Sequence, residues 1–272
     1  RNGIAGVDDD GNGFVDDWIG WDFVNFTGAP YTQCWPGEDC LAPDNDPRDF
    51  QGHGTHCAGV IGAVGNDGVG ISGINQRVSI MPVKFLSGEG SGDTASAVKA
   101  IDYAISRGAK VLSNSWGGKG DDGTNGALKD AVSRPQAAGV LFVAAAGNDG
   151  TNNDSDPTFP ASYNLDNMVV VAATDERDGL AYFSNTGPKS VHVGAPGTNV
   201  YSTVPGNKYA KLSGTSMACP HVAGEAALIW AQYPNANYQE IKRRILSSGD
   251  SIGSLNGKTL TGKRINVLNA LN

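Results

Sequence analysis

Apolar strands alternate with helical segments along most of this chain, and this alternation limits the folds that are open to it. Val140 to Ala146 is a nearly unbroken apolar strand, and the stretch from Met217 to Trp230 is apolar enough for a buried helix. Such alternation is typical of a parallel sheet with helices on both faces, so we predict an α/β fold. The other segments that fit this pattern are strands at 78–86, 110–116, 168–173 and 191–195 and helices at 94–107 and 126–138.

Length and charge narrow the classes of function. The 272 residues contain no repeat, low-complexity tract or linker, so we expect one domain over residues 1–272. The chain carries 28 acidic and 20 basic side chains, a net charge of −8, which makes nucleic acid and anionic membrane surfaces poor partners. No apolar run approaches the roughly 18 residues that a membrane-spanning helix needs. No secretory leader is visible, so we expect a processed form.

A small-residue turn leads directly into the apolar helix and places Ser216 where that helix begins. A serine there feels the positive end of the helix dipole, which favours an alkoxide or a nearby oxyanion. An ordinary N-cap serine is the alternative. In open α/β sheets the active site lies beyond the carboxyl ends of the strands. Asn148 follows one such strand, and His53 lies in the first turn of another apolar helix, although each residue alone is more often structural.

The segment from Asp8 to Asp17 has the ligand spacing of the front half of an EF-hand loop. Oxygen side chains occupy alternate positions, and a glycine and a backbone carbonyl follow. The bidentate glutamate of such a loop is replaced by Ile19, so Asp16 or Asp17 must close the site; a solvated acidic turn is the alternative. We predict calcium ligands at Asp8, Asp10, Asn12, Phe14 and Asp17, and a second calcium site at Asp44, Asp46 and Asp49.

The four cysteines fall into two kinds. Cys34 and Cys40 lie six residues apart in a Pro/Gly-rich loop, and we predict a disulfide between them in an oxidising compartment. Cys57 and Cys219 lie in apolar helical stretches, where a buried free thiol is the ordinary outcome.

Three motifs occur in a fixed order along the chain: QGHGTHCAG at 51–59, AAAGN at 144–148 and GTSMACPHVAG at 214–224. Together they resemble the subtilases, the subtilisin-like serine peptidases. This resemblance implies a three-layer subtilisin-like fold and a serine endopeptidase that hydrolyses peptide bonds through an acyl-enzyme. The resemblance implies three catalytic roles: His53 as general base, Ser216 as nucleophile and Asn148 in the oxyanion hole. It implies substrate contacts at Ser115, Trp116, Gly117 and Gly147. It also implies that Asn66 belongs to a calcium loop and that His56 and His221 are structural histidines.

The chemistry is consistent with these implied roles. A serine hydroxyl is weakly acidic and needs a base at hydrogen-bond distance, which an imidazole that titrates near neutrality supplies. The resemblance further implies polypeptide substrates, bound calcium, a prodomain in the precursor and a secreted, extracellular protein. We also expect a monomer.

The triad acid is the one part of the pattern that the sequence does not supply. The family order is Asp, His, Ser, yet no Asp-Ser/Thr-Gly triplet occurs in residues 1–52. Asp8 and Asp22 are the alternatives in this stretch, but we expect that the chain begins downstream of the aspartate and lacks the first strand. Residues 1–272 alone should then be a poor enzyme. A catalytically silent binding module is the second hypothesis. An α/β-hydrolase esterase is disfavoured because Ser216 lacks Gly-x-Ser-x-Gly and follows the histidine.

Overall fold

A computed structural model describes residues 4–26, 34–120 and 126–272. In this part of the chain the helices are α1 (His53–Gly62), α2 (Thr94–Ser106), α3 (Gly126–Ala137), α4 (Thr215–Gln232), α5 (Tyr238–Ser248) and α6 (Val267–Ala270). The strands are β1 (Trp21–Asp22), β2 (Val83–Lys84), β3 (Val111–Asn114), β4 (Leu141–Ala145), β5 (Met168–Thr174), β6 (Val193–Pro196), β7 (Val200–Val204), β8 (Lys208–Leu212), β9 (Asp250–Ser251) and β10 (Lys263–Arg264).

A six-stranded sheet in the order β3-β4-β5-β6-β10-β9 forms the centre of the molecule. Every neighbouring pair in it is parallel except β9 and β10. β7 and β8 form a separate antiparallel hairpin, and β1 and β2 form a separate parallel pair. The described residues therefore form a mostly parallel sheet with two small additions.

Helices cover both faces of this sheet, because every residue of β4 and β5 is buried and successive side chains point to opposite faces. Leu141 and Val143 pack with α4 and α5 on one face. Phe142 and Ala144 pack with α2 and α3 on the other. The three-layer α/β fold expected from the sequence is confirmed.

The element boundaries agree with the sequence interpretation for α2, α3 and β4, which end within two residues of their predicted limits. β2 is the exception, since a strand was predicted over 78–86 and only Val83–Lys84 pairs. Pro82 has no backbone N–H to give to a ladder, which accounts for the late start of this strand. No helix among the described residues combines the length and the apolar character needed to cross a bilayer.

The sheet is interrupted between β2 and β3. α2 connects these two strands along the chain, yet within the described part of the chain β2 pairs only with β1 and β3 only with β4. Just beyond the carboxyl ends of the two strands, the rings of Phe85 and Trp116 meet edge to face at 5.0 Å between centroids. The two strand ends therefore lie on the same side of the molecule, where Asn148 also follows β4.

Candidate active site

Ser216 is the second residue of α4, as the sequence predicted. The first N–H groups of a helix have no acceptor within the helix. The Thr215 N–H donates instead to the Asn148 side-chain oxygen at 2.8 Å. The start of α4 is thus attached directly to the loop that follows β4.

The Asn148 amide is oriented by Thr215. Both the backbone N–H and the hydroxyl of Thr215 donate to the amide oxygen, at 2.8 and 2.9 Å, so the amide nitrogen faces away from them. A β-carbon added to Gly214 would lie 3.6 Å from that nitrogen and 3.6 Å from the Ser216 backbone nitrogen. The missing side chain of Gly214 therefore leaves a space bordered by two potential N–H donors.

Pro220 frees the backbone carbonyl of Ser216. A proline inside a helix cannot donate to the carbonyl four residues earlier, which here belongs to Ser216. That carbonyl accepts from the Ser115 hydroxyl at 2.8 Å and from the Cys57 thiol at 3.4 Å. The serine is thereby fixed to the segment after β3 and to α1 at once.

Asp49 and Gln51 hold the start of α1, where the His53 N–H donates to the Gln51 side chain at 2.8 Å. The Asp49 carboxylate accepts from the N–H groups of Gln51, Gly52 and Thr55 and from the Thr55 hydroxyl, at 2.7 to 2.9 Å. Burial would raise the pKa of this carboxyl, but these donors outweigh it and hold the pKa below its ordinary value. Asp49 thus fixes the turn of α1 that carries His53.

The structure brings His53 and Ser216 to the same region but does not join them by a hydrogen bond. Cys57, one turn after His53 on α1, contacts the Ser216 carbonyl, whereas the Ser216 hydroxyl donates to the Ser115 carbonyl at 3.3 Å. Catalytic hydrogen bonds are often long before substrate binds, so this spacing is compatible with a catalytic pair.

No described residue hydrogen bonds to the His53 ring. Burial lowers the pKa of His53, and the attraction of the Asp49 carboxylate offsets this only in part. Asp8 accepts from N–H groups of its own loop, and Asp22 binds Lys84 at 3.1 Å and the Val24 N–H at 2.7 Å. Neither alternative for the triad acid contacts His53.

The segment after β3 and the loop after β4, which the resemblance assigns to the substrate cleft, lie close together around Thr158. Gly118 and Phe159 pair as an antiparallel bridge, with both N–H···O distances at 2.9 Å. β-carbons added to Gly117 and Gly147 would lie 3.6 and 3.4 Å from the same Thr158 methyl. Gly147 has a φ of +111°, and a side chain there would strike Asn185, so glycine is required. The structure thus brings Gly117 and Gly147 close to the same side chain, and the substrate role of Ser115, Trp116, Gly117 and Gly147 stays a prediction.

The two cysteines near the site remain protonated thiols. Burial raises the pKa of Cys57 to about 12 and that of Cys219 to about 11. Thiols rather than thiolates are poor nucleophiles, so Ser216 has no competitor here. Both cysteines are free and buried, as predicted, and a disulfide joins Cys34 and Cys40.

A sequence profile of the subtilase family matches residues 32–263, which include all three motifs and this site. The chain belongs to the subtilase family. It is 40% identical to subtilisin DY of Bacillus licheniformis over 80% of this chain and 77% of that protein. It is 41% identical to thermitase of Thermoactinomyces vulgaris over 86% of this chain and 80% of thermitase. It is also 41% identical to a thermophilic serine proteinase of Bacillus sp. (strain AK1), over 90% of this chain and 60% of that protein.

The acidic segment of this subtilase folds around Asn12. The Asn12 N–H donates to Asp8 at 3.1 Å and to Asp10 at 3.3 Å, and the Asn12 side chain donates to Asp17 at 3.0 Å. Four of the five predicted calcium ligands therefore lie side by side, and oxygen donors of this kind are those that calcium prefers. The ring of the fifth, Phe14, packs against other aromatic rings. The donor types suit calcium, but Asp8, Asp10 and Asp17 do not bring three ligand atoms within 4.8 Å of one another, so the site stays a prediction.

The same segment is anchored to α2. Asp17 accepts from the Tyr103 hydroxyl at 2.8 Å, and Arg107 contacts Asp10 at 2.6 Å and Asp17 at 3.5 Å. This positive charge offsets part of the repulsion among the carboxylates.

The structure does not gather Asp44, Asp46 and Asp49 into a second site. Among the described residues, the sole group of three candidate ligand atoms within 4.8 Å of one another is Cys34, Glu38 and Cys40, and the disulfide uses both thiols. Asp46 pairs with Arg48 at 2.6 Å, Asp44 accepts from the Asp46 N–H, and Asp49 holds the start of α1. We therefore do not carry the second site forward.

The remaining predicted residues have local partners. His56 lies between the Val200 and Ala210 carbonyls at 2.9 and 3.3 Å, and His221 contacts the Met217 carbonyl at 2.8 Å. These contacts suit structural histidines. Asn66 donates to Gln76 at 2.8 Å, and its calcium role stays a prediction.

Sequence reasoning missed Thr215, Pro220 and Asn185. Asn185 is fully buried and holds the Gly147 loop through the Gly147 carbonyl and the Asp149 N–H. Pro220 inside an apolar helix was a visible signal that one carbonyl must find another donor. Asn185 lies outside the motifs and gave no such signal.

Proposed function

We propose that this subtilase is a serine endopeptidase that cleaves polypeptides through an acyl-enzyme at Ser216. The observation that supports this best is the oriented Asn148 amide, which borders the same space as the Ser216 backbone N–H. Two fixed N–H donors can stabilise the oxyanion of a tetrahedral intermediate without rearranging. His53 acts as the base that takes the Ser216 proton and returns it to the leaving amine. Hydrolysis of casein by the purified protein, lost on replacing Ser216, tests the proposal.

Replacing Asn148 with alanine is expected to lower kcat by about 10²–10³-fold with little change in KM, because the amide acts on the transition state; this magnitude was established in a subtilisin. Asn152→Ala is the matched control, since Asn152 is exposed in the same loop. Steady-state kinetics on a peptide p-nitroanilide measure both parameters. A loss confined to KM would contradict the oxyanion role.

The triad acid, we propose, comes from a segment outside residues 1–272 that pairs between β2 and β3. Two observations support this: no described carboxylate hydrogen bonds to His53, and the sheet is interrupted at this place. A strand there would end at the same edge of the sheet as β3 and β4, where the site lies. A catalytically silent binding module is the alternative. Such a protein would have the additional strand between β2 and β3 but no aspartate on it to act as the triad acid.

The pKa of His53 distinguishes these possibilities. In residues 1–272 we expect a pKa below the ordinary histidine value, because burial disfavours the imidazolium. A carboxylate at the far ring nitrogen favours the imidazolium, so the pKa should rise in a form extended upstream. NMR titration of the His53 ring signals, assigned with His53→Gln, measures both forms. An unchanged pKa in the extended form would favour the silent module.

Side-chain preference, we propose, depends on Thr158. Its methyl group borders both glycines of the cleft, so it limits the size of the side chain that enters there. An apolar lining favours apolar or aromatic residues before the scissile bond.

We propose one calcium ion at Asp8, Asp10, Asn12, Phe14 and Asp17, where it would neutralise the clustered carboxylates and stabilise the loop. A chelator should then lower the melting temperature by roughly 5–10 °C, since binding at 100 times Kd contributes about 3 kcal/mol. Asp8→Asn should remove most of this effect, whereas Asp9→Asn makes the same charge change without removing a ligand. Thermal unfolding in a Ser216→Ala background measures it free of self-digestion. Equal chelator effects in both variants would argue against the site.

Maturation and location follow as further proposals. The disulfide suits an oxidising, extracellular compartment. Membership of the subtilase family supports a secreted protein that is made with a prodomain, and that it acts as a monomer stays a proposal.

A further inference from the structure

The loop closed by Cys34 and Cys40 is docked on the turn that follows β2 through Glu38. The Gly88 N–H donates to the Glu38 carboxylate, at 3.0 and 2.9 Å from its two oxygens, and the Trp35 N–H donates at 3.0 Å. The Lys84 ammonium lies 2.6 Å from the same carboxylate. The Glu38 side chain is only 1% exposed, so these contacts are shielded from water. None of them belongs to the catalytic site described above.

Lys84 connects this loop to the core of the β1–β2 pair. Its ammonium lies between the carboxylates of Glu38 and Asp22, and all three side chains are almost fully buried. Burial alone would raise the pKa of Glu38, but Lys84 and the two N–H donors outweigh it and hold the pKa below its ordinary value. Glu38 is therefore a buried anion whose charge is balanced by its partners. Removing its charge would leave the buried Lys84 ammonium with one of its two carboxylate partners, Asp22.

The docked turn is compact and fits closely against the loop. Within it, the Ser87 N–H donates to the Ser91 carbonyl at 2.8 Å, and the Gly90 N–H donates to the Ser87 carbonyl at 2.8 Å. A β-carbon added to Gly88 would lie 2.6 Å from the Trp35 β-carbon, so any side chain at this position would separate loop and turn. The disulfide loop thus fixes the position of the turn.

This turn lies beside the substrate cleft. Phe85, at the end of β2 and just before the turn, packs its ring against Trp116 at 5.0 Å between centroids. Trp116 belongs to the segment at 115–117 along which substrate backbone is expected to pair. A peptide that extends along this segment, away from the scissile bond, would therefore pass the turn at 87–91.

We propose that Glu38 is a positioning residue: through it, the Cys34–Cys40 loop holds the turn at 87–91 as a wall of the cleft for substrate residues upstream of the scissile bond. This inference rests on the proposed peptidase function. A rigid wall lowers the entropy lost when a long peptide binds, and a substrate with one residue before the scissile bond does not reach it. Glu38 therefore determines how strongly extended peptides are preferred over short ones.

The test compares Glu38→Gln with Glu176→Gln, which makes the same charge change at an exposed position outside both the loop and the turn. Kinetics are measured on N-acetyl-Phe ethyl ester and on N-acetyl-Ala-Ala-Ala-Phe p-nitroanilide. Glu38→Gln should raise KM for the tetrapeptide about tenfold, with kcat and the ester kinetics within about twofold of wild type. Glu176→Gln should leave the kinetics on both substrates unchanged. Reducing the disulfide, or replacing Cys34 and Cys40 with alanine, should reproduce the Glu38→Gln result, because Cys57 and Cys219 are already free.

Hydrogen exchange in residues 85–93 gives a readout that needs no activity. It should be faster in Glu38→Gln than in wild type and unchanged in Glu176→Gln. Equal exchange in all three proteins would show that Glu38 does not hold the turn. An equal loss of activity on the ester and on the tetrapeptide would show that Glu38 does not determine the preference for extended peptides. If the form of the protein that has its triad acid hydrolyses neither substrate, the proposed peptidase function is overturned. The exchange result still decides whether Glu38 holds the turn.

Discussion

Replacing Ser216 with alanine should lower kcat for peptide hydrolysis by about 10⁶-fold in the form of the protein that has its triad acid, a magnitude taken from the matching change in a subtilisin. The hydroxyl is the only part of Ser216 that the substitution removes. The backbone N–H and the carbonyl that binds Ser115 and Cys57 both remain, so α4 should keep its position. The loss then reports the covalent step and not a distorted site.

Ser213→Ala is the matched control for this experiment. Ser213 is exposed three residues earlier, and its hydroxyl accepts from the Asn199 N–H at 2.8 Å without contacting the site. Its kcat should stay within about twofold of wild type. In residues 1–272 alone, Ser216→Ala should lower kcat by less, because a histidine without its carboxylate already limits the reaction and triad effects are not additive. An active Ser216→Ala protein would contradict the acyl-enzyme mechanism.

Replacing Glu225 with glutamine should raise the free energy of unfolding at pH 9 by about 5 kcal/mol, with little change at pH 4.5 or below. Glu225 lies inside α4 and is fully buried, and neither of its carboxylate oxygens has a hydrogen-bond partner among the described residues. Burial raises its pKa from 4.5 to about 8, and one pKa unit corresponds to about 1.4 kcal/mol. Glutamine keeps the shape and cannot ionise.

The sign of this pH dependence follows from proton binding. Between pH 4.5 and about 8, the folded protein keeps a proton on Glu225 that the unfolded chain releases, so stability falls as pH rises through this range. His192 has the opposite effect at acid pH, because burial lowers its pKa to about 3. Its contribution cancels when variant and wild type are compared at the same pH.

Urea unfolding at several pH values in a Ser216→Ala background measures the Glu225 effect without self-digestion. The exposed Glu176 provides the control Glu176→Gln, which should leave the pH profile unchanged. Parallel pH profiles for wild type and Glu225→Gln would show that the carboxyl group finds a partner after all.

The sequence predicted the fold and the motif residues well because both depend on local patterns. The buried strand before Asn148 and the apolar helix after Ser216 have the periodicity of their elements, and the structure places them as expected. Asn148 and the start of α4 at Ser216 are joined through Thr215, and α1, which carries His53, contacts the Ser216 carbonyl through Cys57.

The sequence could not reveal contacts between distant segments. Glu38 and Lys84 are 46 positions apart and lie outside the three motifs, so nothing in the sequence pairs them. Asp49 was expected to bind calcium on composition alone, yet it binds the start of α1. An acidic residue looks the same in sequence whether its partner is a cation or a backbone N–H. The sequence also could not reveal that the Glu225 carboxyl group lacks a hydrogen-bond partner among the described residues, because that depends on how α4 packs.

The most direct test of the central claim is labelling with a fluorophosphonate probe, followed by peptide mapping. The probe reacts with a serine only where a base and an oxyanion site activate it. We expect a single modification at Ser216 in the folded protein that has its triad acid, and none in Ser216→Ala. Folded protein that stays unlabelled, or that is labelled at another residue, would contradict the assignment of Ser216 as the nucleophile.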